Sequence, residues 1–162
     1  MKPEIKTILY TTDMGDHMRP VFVYAVEMAR KFEAKVIMLH VTEPLSSGVL
    51  LAIDVYMPGT SAKELIEDGM KKSLQVMKQR LEDFCEEELN NNSEDRAIIS
   101  KVKVVSGRSA ESIIHQAEQL EVDLIVVGTH TDPSIGAHLL GSTARRVTQL
   151  SKIPVLVVPV HE

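Results

Sequence analysis

Residues 123–146 read DLIVVGTHTDPSIGAHLLGSTARR, and this stretch decides the fold. Asp123 to Val127 has the length and branched content of a buried parallel strand, and Gly128 stops it abruptly. A loop rich in Thr, His, Asp, Pro and Gly follows. Gly141-Ser142-Thr143 then opens a segment in which Ala144, Val147 and Leu150 recur at helical spacing. Strand, glycine turn, polar loop and helix start together suit an anion. The first N–H groups of a helix lack intrahelical partners, and the helix dipole favours negative charge beside them.

The flanking sequence repeats the strand-then-helix alternation. Ile5 to Tyr10 is a short β-rich run, stopped by Thr11-Thr12-Asp13-Met14-Gly15-Asp16. Pro20 suits a helix's first turn, and Val21, Ala25, Met28, Ala29 and Phe32 mark that helix's apolar stripe. Lys35 to Val41 reads as a second strand. Glu43 to Thr60 is loop-like, with an apolar core, Val49 to Met57, expected to be a flap or a packing segment. From Ser61 a long helical pattern runs through Leu65, Ile66, Met70, Leu74, Met77, Leu81, Phe84 and Cys85, with Ala62, Gly69 and Ser73 on the same side. It is expected to end near Asn90-Asn91-Asn92. A third strand lies within Ile98–Ser106. Ser109 is a candidate N-cap for a helix with Ile113, Ile114, Ala117 and Leu120 inside. Ile153-Pro154 ends the last helix, and Val155 to Val160 is a fifth strand whose Pro159 marks the strand's end as a sheet edge or an interface margin. Five apolar strands alternating with amphipathic helices predict α/β architecture: a single doubly wound five-stranded parallel sheet in one domain, residues 1–162.

Composition limits the partners. A net charge of −5 argues against a nucleic-acid partner, which would want a basic face. No run approaches the ~20 apolar residues of a membrane helix, and the start lacks a signal-peptide core, so no membrane association and a cytoplasmic location are expected. Cys85 is the single cysteine, which rules out an internal disulfide, and it reads as a small buried hydrophobe. His17, His130 and His138 match no usual zinc spacing, so no resident metal is expected. There is no G-x-S-x-G elbow and no Walker A lysine. Dedicated catalysis is therefore not expected.

In a doubly wound sheet, ligands bind outside the carboxyl ends of the strands where strand order reverses. A switch between strands one and four would set Thr11–Asp16 against Gly128–Ser142. Asp13 would then accept from ribose hydroxyls or an adenine amino group, while Gly141, Ser142 and Thr143 donate to phosphate oxygens. The end of strand two, at His40-Val41, would meet the base edge. The plainer reading makes Asp13 a turn residue and Gly141-Ser142 a simple N-cap, and spacing alone leaves both readings open.

VVGTHTDPSIGAHLLGSTARRV followed by PVLVVP resembles the C-terminal signature of the universal stress protein family. In its nucleotide-binding members the pattern is Gly, two residues, Gly, nine residues, Gly, then Ser or Thr. Here it reads Gly128, Thr129-His130, Thr131, Asp132 to Leu140, Gly141, Ser142. The likeness extends to the Thr-Asp loop, to AVEMARKFEAKVIMLHV and to AESIIHQAEQLEVDLIVVGTH. The sequence departs at Thr131, which replaces the second glycine, and at Thr11, which replaces a frequent proline. The resemblance implies strand order 3-2-1-4-5, a Rossmann-like, adenine nucleotide alpha hydrolase-like fold. It also implies a site for ATP or a related adenine nucleotide, with magnesium carried by the phosphates. The residues it implies are Thr11, Thr12, Asp13, Val41, Gly128, His130, Thr131, Gly141, Ser142 and Thr143. A homodimer through Val155–Val160 and a role in stress response or signalling come with it. Two alternatives stand beside this reading: a dimeric regulatory module without nucleotide, and a slow ATP hydrolase.

Overall fold

The structure is a computed structural model that describes residues 2–88, 93–129 and 140–160. Its strands are β1 (Thr7–Thr11), β2 (Lys35–Thr42), β3 (Ile99–Ser106), β4 (Leu124–Gly128) and β5 (Val155–Val158). All pair in parallel, in the order β3-β2-β1-β4-β5. Each strand is nearly continuously apolar because helices cover both faces of the sheet. The helices are α1 (Arg19–Phe32), α2 (Ser47–Tyr56), α3 (Ala62–Glu88), α4 (Ser93–Arg96), α5 (Ser109–Gln119) and α6 (Ser142–Leu150), with a 3-10 turn at Asp16–Met18. Among the described residues, no helix is long and apolar enough to cross a membrane.

Side chains alternate along the strands, so the core has two halves. Ile8, Tyr10, Val36, Met38, Leu124 and Val126 pack with Val21, Phe22, Ala25 and Ala29 of α1 and Met77 and Phe84 of α3. Leu9, Ile37, Leu39, Ile125 and Val127 pack with Ala110, Ile113 and Ala117 of α5 and Ala144 and Val147 of α6. Asp123 fixes the start of the central pair. Its carboxylate accepts from the Lys6 and Thr7 N–H groups at 2.8 and 2.9 Å, while its own N–H donates to the Thr7 carbonyl at 2.8 Å. That clamp sets the β1–β4 register, Ile8 opposite Leu124.

Several local expectations are corrected. Residues 47–56, read as part of a loop, form α2, because the Ser46 hydroxyl accepts from the Val49 N–H and caps the helix. The helix buries none of its side chains fully. The inner stripe of α3 is shorter than its periodicity suggests: Met77 and Phe84 are buried, whereas Leu65 and Gly69 are exposed. Phe32 and Leu150, counted on inner stripes, are exposed by 41 and 48% at the last turns of α1 and α6. The N-cap of α5 falls on Arg108, without a side-chain cap, and Ser109 is the first helical residue. Helix α6 already stops at Ser151, whose hydroxyl donates to the Ile153 carbonyl at 2.7 Å. The expected end at Asn90–Asn92 and the Cys85 side chain lie outside the described residues.

Candidate functional site

Strand order reverses between β1 and β4, and a cleft of about 280 Å³ opens there at the strands' carboxyl ends. The chain leaves β1 through Thr11, Thr12 and Asp13, which form one wall. Leu39, His40 and Val41 of β2 form the second. Gly128 and Thr129 after β4, with Gly141, Ser142 and Thr143 at the start of α6, form the third. Eight of the ten residues picked from sequence therefore line a single cavity. The other two, His130 and Thr131, lie outside the described residues.

The β1 loop is held by its own polar groups. Asp13 Oδ1 accepts from the Gly15 N–H at 2.7 Å, and Oδ2 lies 2.9 Å from His17 Nε2. A Cβ on residue 15 would collide with the His17 ring, so Gly15 is what lets the imidazole fold back onto the carboxylate. Met14 takes a left-handed φ of 68°, rare for a side chain of its size, and its N–H donates to Thr12 Oγ1 at 2.9 Å. The Thr12 N–H donates to the Leu39 carbonyl at 3.0 Å, tying the loop to β2. His40 Nδ1 sits 2.8 Å from the Thr12 carbonyl. A carbonyl can only accept, so Nδ1 carries the proton in this contact. With 48% of its side chain exposed, Asp13 keeps acceptor capacity towards the cleft.

The opposite wall is main chain. Gly141 is the N-cap of α6 at φ −58° and ψ 158°, and as a glycine it offers no side chain to cap the helix. The Arg145 N–H returns to the Gly141 carbonyl at 3.0 Å, which places the first-turn N–H groups at the helix mouth. Gly128 has a packing reason as well: a Cβ there would lie 3.0 Å from Met18 Sδ and from Val21 Cγ2. Thr129 joins the cleft to the end of the chain, its N–H donating to the Val158 carbonyl at 3.0 Å and its hydroxyl oxygen accepting from the Val160 N–H at 2.9 Å.

Among the described residues Asp13 is the one carboxylate lining the cleft, and no Lys or Arg lines it. Arg146 is taken by Glu111, with Nε and Oε1 2.5 Å apart. The Glu111 backbone N–H, and then Arg146, hold that carboxyl below the usual range. An anion here would thus rest on backbone donors and the helix dipole. Sequence reasoning missed Ser109 and Ile113, which reach the cleft from α5, and Met18, which reaches it from the 3-10 turn. Sequence marked Ser109 as a cap and Ile113 as core, and nothing in the spacing aims either at the cleft.

These features define a doubly wound α/β protein with a switch-point crevice faced by a helix N-terminus whose N-cap is a glycine. The sequence model of the universal stress protein family matches residues 4–159, and the chain belongs to that family. "Universal stress protein A homolog 2" of Coxiella burnetii is 32% identical over 145 residues, spanning 86% of this chain and 84% of that one. Universal stress protein UspA from Lactobacillus plantarum shares the fold with a TM-score of 0.70 at 24% identity, covering 97% of this chain and 99% of that one. A universal stress protein solved in complex with cAMP also shares the fold, with a TM-score of 0.57 at 20% identity and 98% coverage of both chains.

Proposed function

We propose that the cleft binds an adenine nucleotide, ATP or a close relative, and that the protein acts as a nucleotide-responsive homodimer in stress response or signalling. The observation that carries this reading is the α6 N-terminus, with glycine as its N-cap, facing Asp13 across one cavity. Main-chain N–H groups of Ser142 and Thr143 hold phosphate oxygens, and Gly141 lets the phosphates approach the backbone. Asp13 accepts from ribose hydroxyls or the adenine amino group, and the Val41 backbone meets the base edge. The cAMP complex of a protein with this fold supports an adenine nucleotide as the ligand class. No phosphate-binding Lys or Arg lines the cleft among the described residues, so magnesium on the phosphates would supply the missing positive charge.

Strand β5 lies at the sheet edge, with Val155, Leu156 and Val157 partly exposed. An apolar edge needs a cover, and a two-fold copy paired along Val155–Val160 supplies one. Sedimentation of the purified chain is expected to give a dimer, and a monomer at micromolar concentration would remove this half of the proposal.

Calorimetric titration with ATP, with and without Mg²⁺, tests the cleft. Gly141→Val keeps a backbone conformation open to any residue but places a branched side chain where phosphates would approach. We expect affinity to fall at least ~10-fold, or ~1.4 kcal/mol, with an unchanged far-ultraviolet spectrum. Equal affinity in a folded variant eliminates the phosphate cradle. No binding by the parent chain leaves a dimeric regulatory module as the better reading.

A further inference from the structure

We propose that His17 is a positioning residue for the cleft: its imidazole holds the plane of the Asp13 carboxylate, so that the lone pairs left over are presented to a ribose or an adenine amino group. This role rests on the nucleotide reading above and adds to it a residue from outside the cleft, since His17 does not line the cavity. The two carboxylate oxygens are held from different places, Oδ1 by the Gly15 N–H at 2.7 Å and Oδ2 by His17 Nε2 at 2.9 Å. An ionised carboxylate only accepts, so Nε2 carries the proton in this contact. One hydrogen bond to one oxygen leaves the group free to turn about its Cβ–Cγ bond. A second bond, to the other oxygen, stops that rotation. Of the ~four lone-pair sites on a carboxylate, about two then stay open to a ligand.

Orientation counts here because Asp13 is the one carboxylate lining the cleft, and no Lys or Arg lines it among the described residues. Turned towards the phosphates, the carboxylate repels them with no lining cation to offset it. Turned towards the sugar and base, it accepts from their donors. The backbone of the loop is tied down without His17. The Thr12 N–H donates to the Leu39 carbonyl at 3.0 Å, and Thr12 Oγ1 accepts from the Met14 N–H at 2.9 Å. The His17 and Asp13 side chains are 36 and 48% exposed, and a pair this exposed adds little to stability. The chain nevertheless makes room for it. Gly15 has an extended backbone open to any residue, φ −72° and ψ 152°, yet a Cβ there would run into the His17 ring. The glycine thus serves the place of the imidazole and not a backbone conformation.

Calorimetric titration of the full chain with ATP reads the effect. His17→Ala is expected to weaken ATP about 3- to 10-fold with an unchanged urea midpoint. Glutamine sets an amide N–H near the place of Nε2, so His17→Gln is expected to stay within ~2-fold of the parent. Gly15→Ala drives the ring off the carboxylate and is expected to reproduce the loss, but to cost much less once residue 17 is already alanine. In an Asp13→Ala background, His17→Ala is expected to change nothing further. Any of four results overturns the role: parental affinity in His17→Ala, an equal loss in His17→Gln, an equal loss with and without Asp13, or an equal Gly15→Ala cost with and without His17. A measurement without ligand keeps this role separable from the nucleotide reading. A proton Overhauser contact between the His17 ring and the Gly15 Hα is expected in the parent chain and is expected to vanish in Asp13→Ala. Its absence from the parent, or its persistence without the carboxylate, overturns the role even where ATP binds. A parent chain that shows the contact and binds no ATP overturns the nucleotide reading alone. Should His17→Ala fail to fold, Gly15→Ala and the Overhauser contact decide.

Discussion

The two faces of the sheet are built on different terms. On one, α5 and α6 settle onto Leu9, Leu39, Ile125 and Val127 through Ala110, Ala117 and Ala144. Small residues let a helix approach closely, and the approach leaves little space. On the other, α3 is 27 residues long, yet among its described side chains only Met77 and Phe84 are fully buried. Long side chains bridge the distance from α3 to the sheet, and a groove of about 410 Å³ opens to solvent between α3, the start of α1 and the loop after β1. Helix length is thus a poor guide to how much a helix contributes to the core.

The largest test of that contrast compares two leucines. Leu9 is fully buried on the tight face, and Leu9→Ala is expected to cost about 3–4 kcal/mol of unfolding free energy in urea titration. Leu81 is half-buried at the side of the open groove, and Leu81→Ala is expected to cost about 1 kcal/mol. Equal losses would mean that the loose face is as well packed as the tight one.

A second test addresses the seam where the faces meet. Gly128 ends β4 beneath Met18 and Val21, with 3.0 Å for a Cβ against either. Gly128→Ala is expected to destabilise by about 1–3 kcal/mol through overpacking, whether or not nucleotide is present. A neutral effect on stability, joined to a loss of nucleotide affinity, would move Gly128 from packing to ligand contact.

The sheet was legible because it is written in local pattern. Five apolar runs, Pro20 and Pro154, and the glycine after Val127 suffice to fix strands, crossovers and the switch point. The cleft was legible for the same reason: its walls are the ends of those strands and the start of α6, so Asp13, Val41, Gly128 and Gly141 fall together once the topology is known. Ser109 and Met18 were missed because their place depends on how α5 and the 3-10 turn dock, which no periodicity encodes. Helix α2 was misread because Pro44, Gly48, Pro58 and Gly59 look like loop residues, while the cap that starts it is one hydroxyl, Ser46. Met77 and Phe84 sit on the same stripe as Leu65 and Leu74, and only tertiary spacing distinguishes a residue that fills the core from one that stays towards solvent.

The smallest effect separates a buried polar group on the loose face from its apolar surroundings. Tyr10 is 2% exposed in the core beneath α1 and α3, and burial, the largest influence, raises its phenol well above the ordinary value. The Thr12 hydrogen bond acts in the opposite direction, and the Asp13 charge adds to the rise. The folded state therefore holds the phenolic proton at a pH where the unfolded chain, titrating near ~10, releases it. Stability linked to this proton is complete below about pH 10 and is lost as pH rises further, with a slope of up to ~1.4 kcal/mol per pH unit. Tyr10→Phe has no proton to lose, so its urea midpoint should fall less steeply above pH 10 than that of the parent chain. Parallel declines would mean that water already reaches the phenol, and that the methionine and phenylalanine packed around it do not exclude solvent.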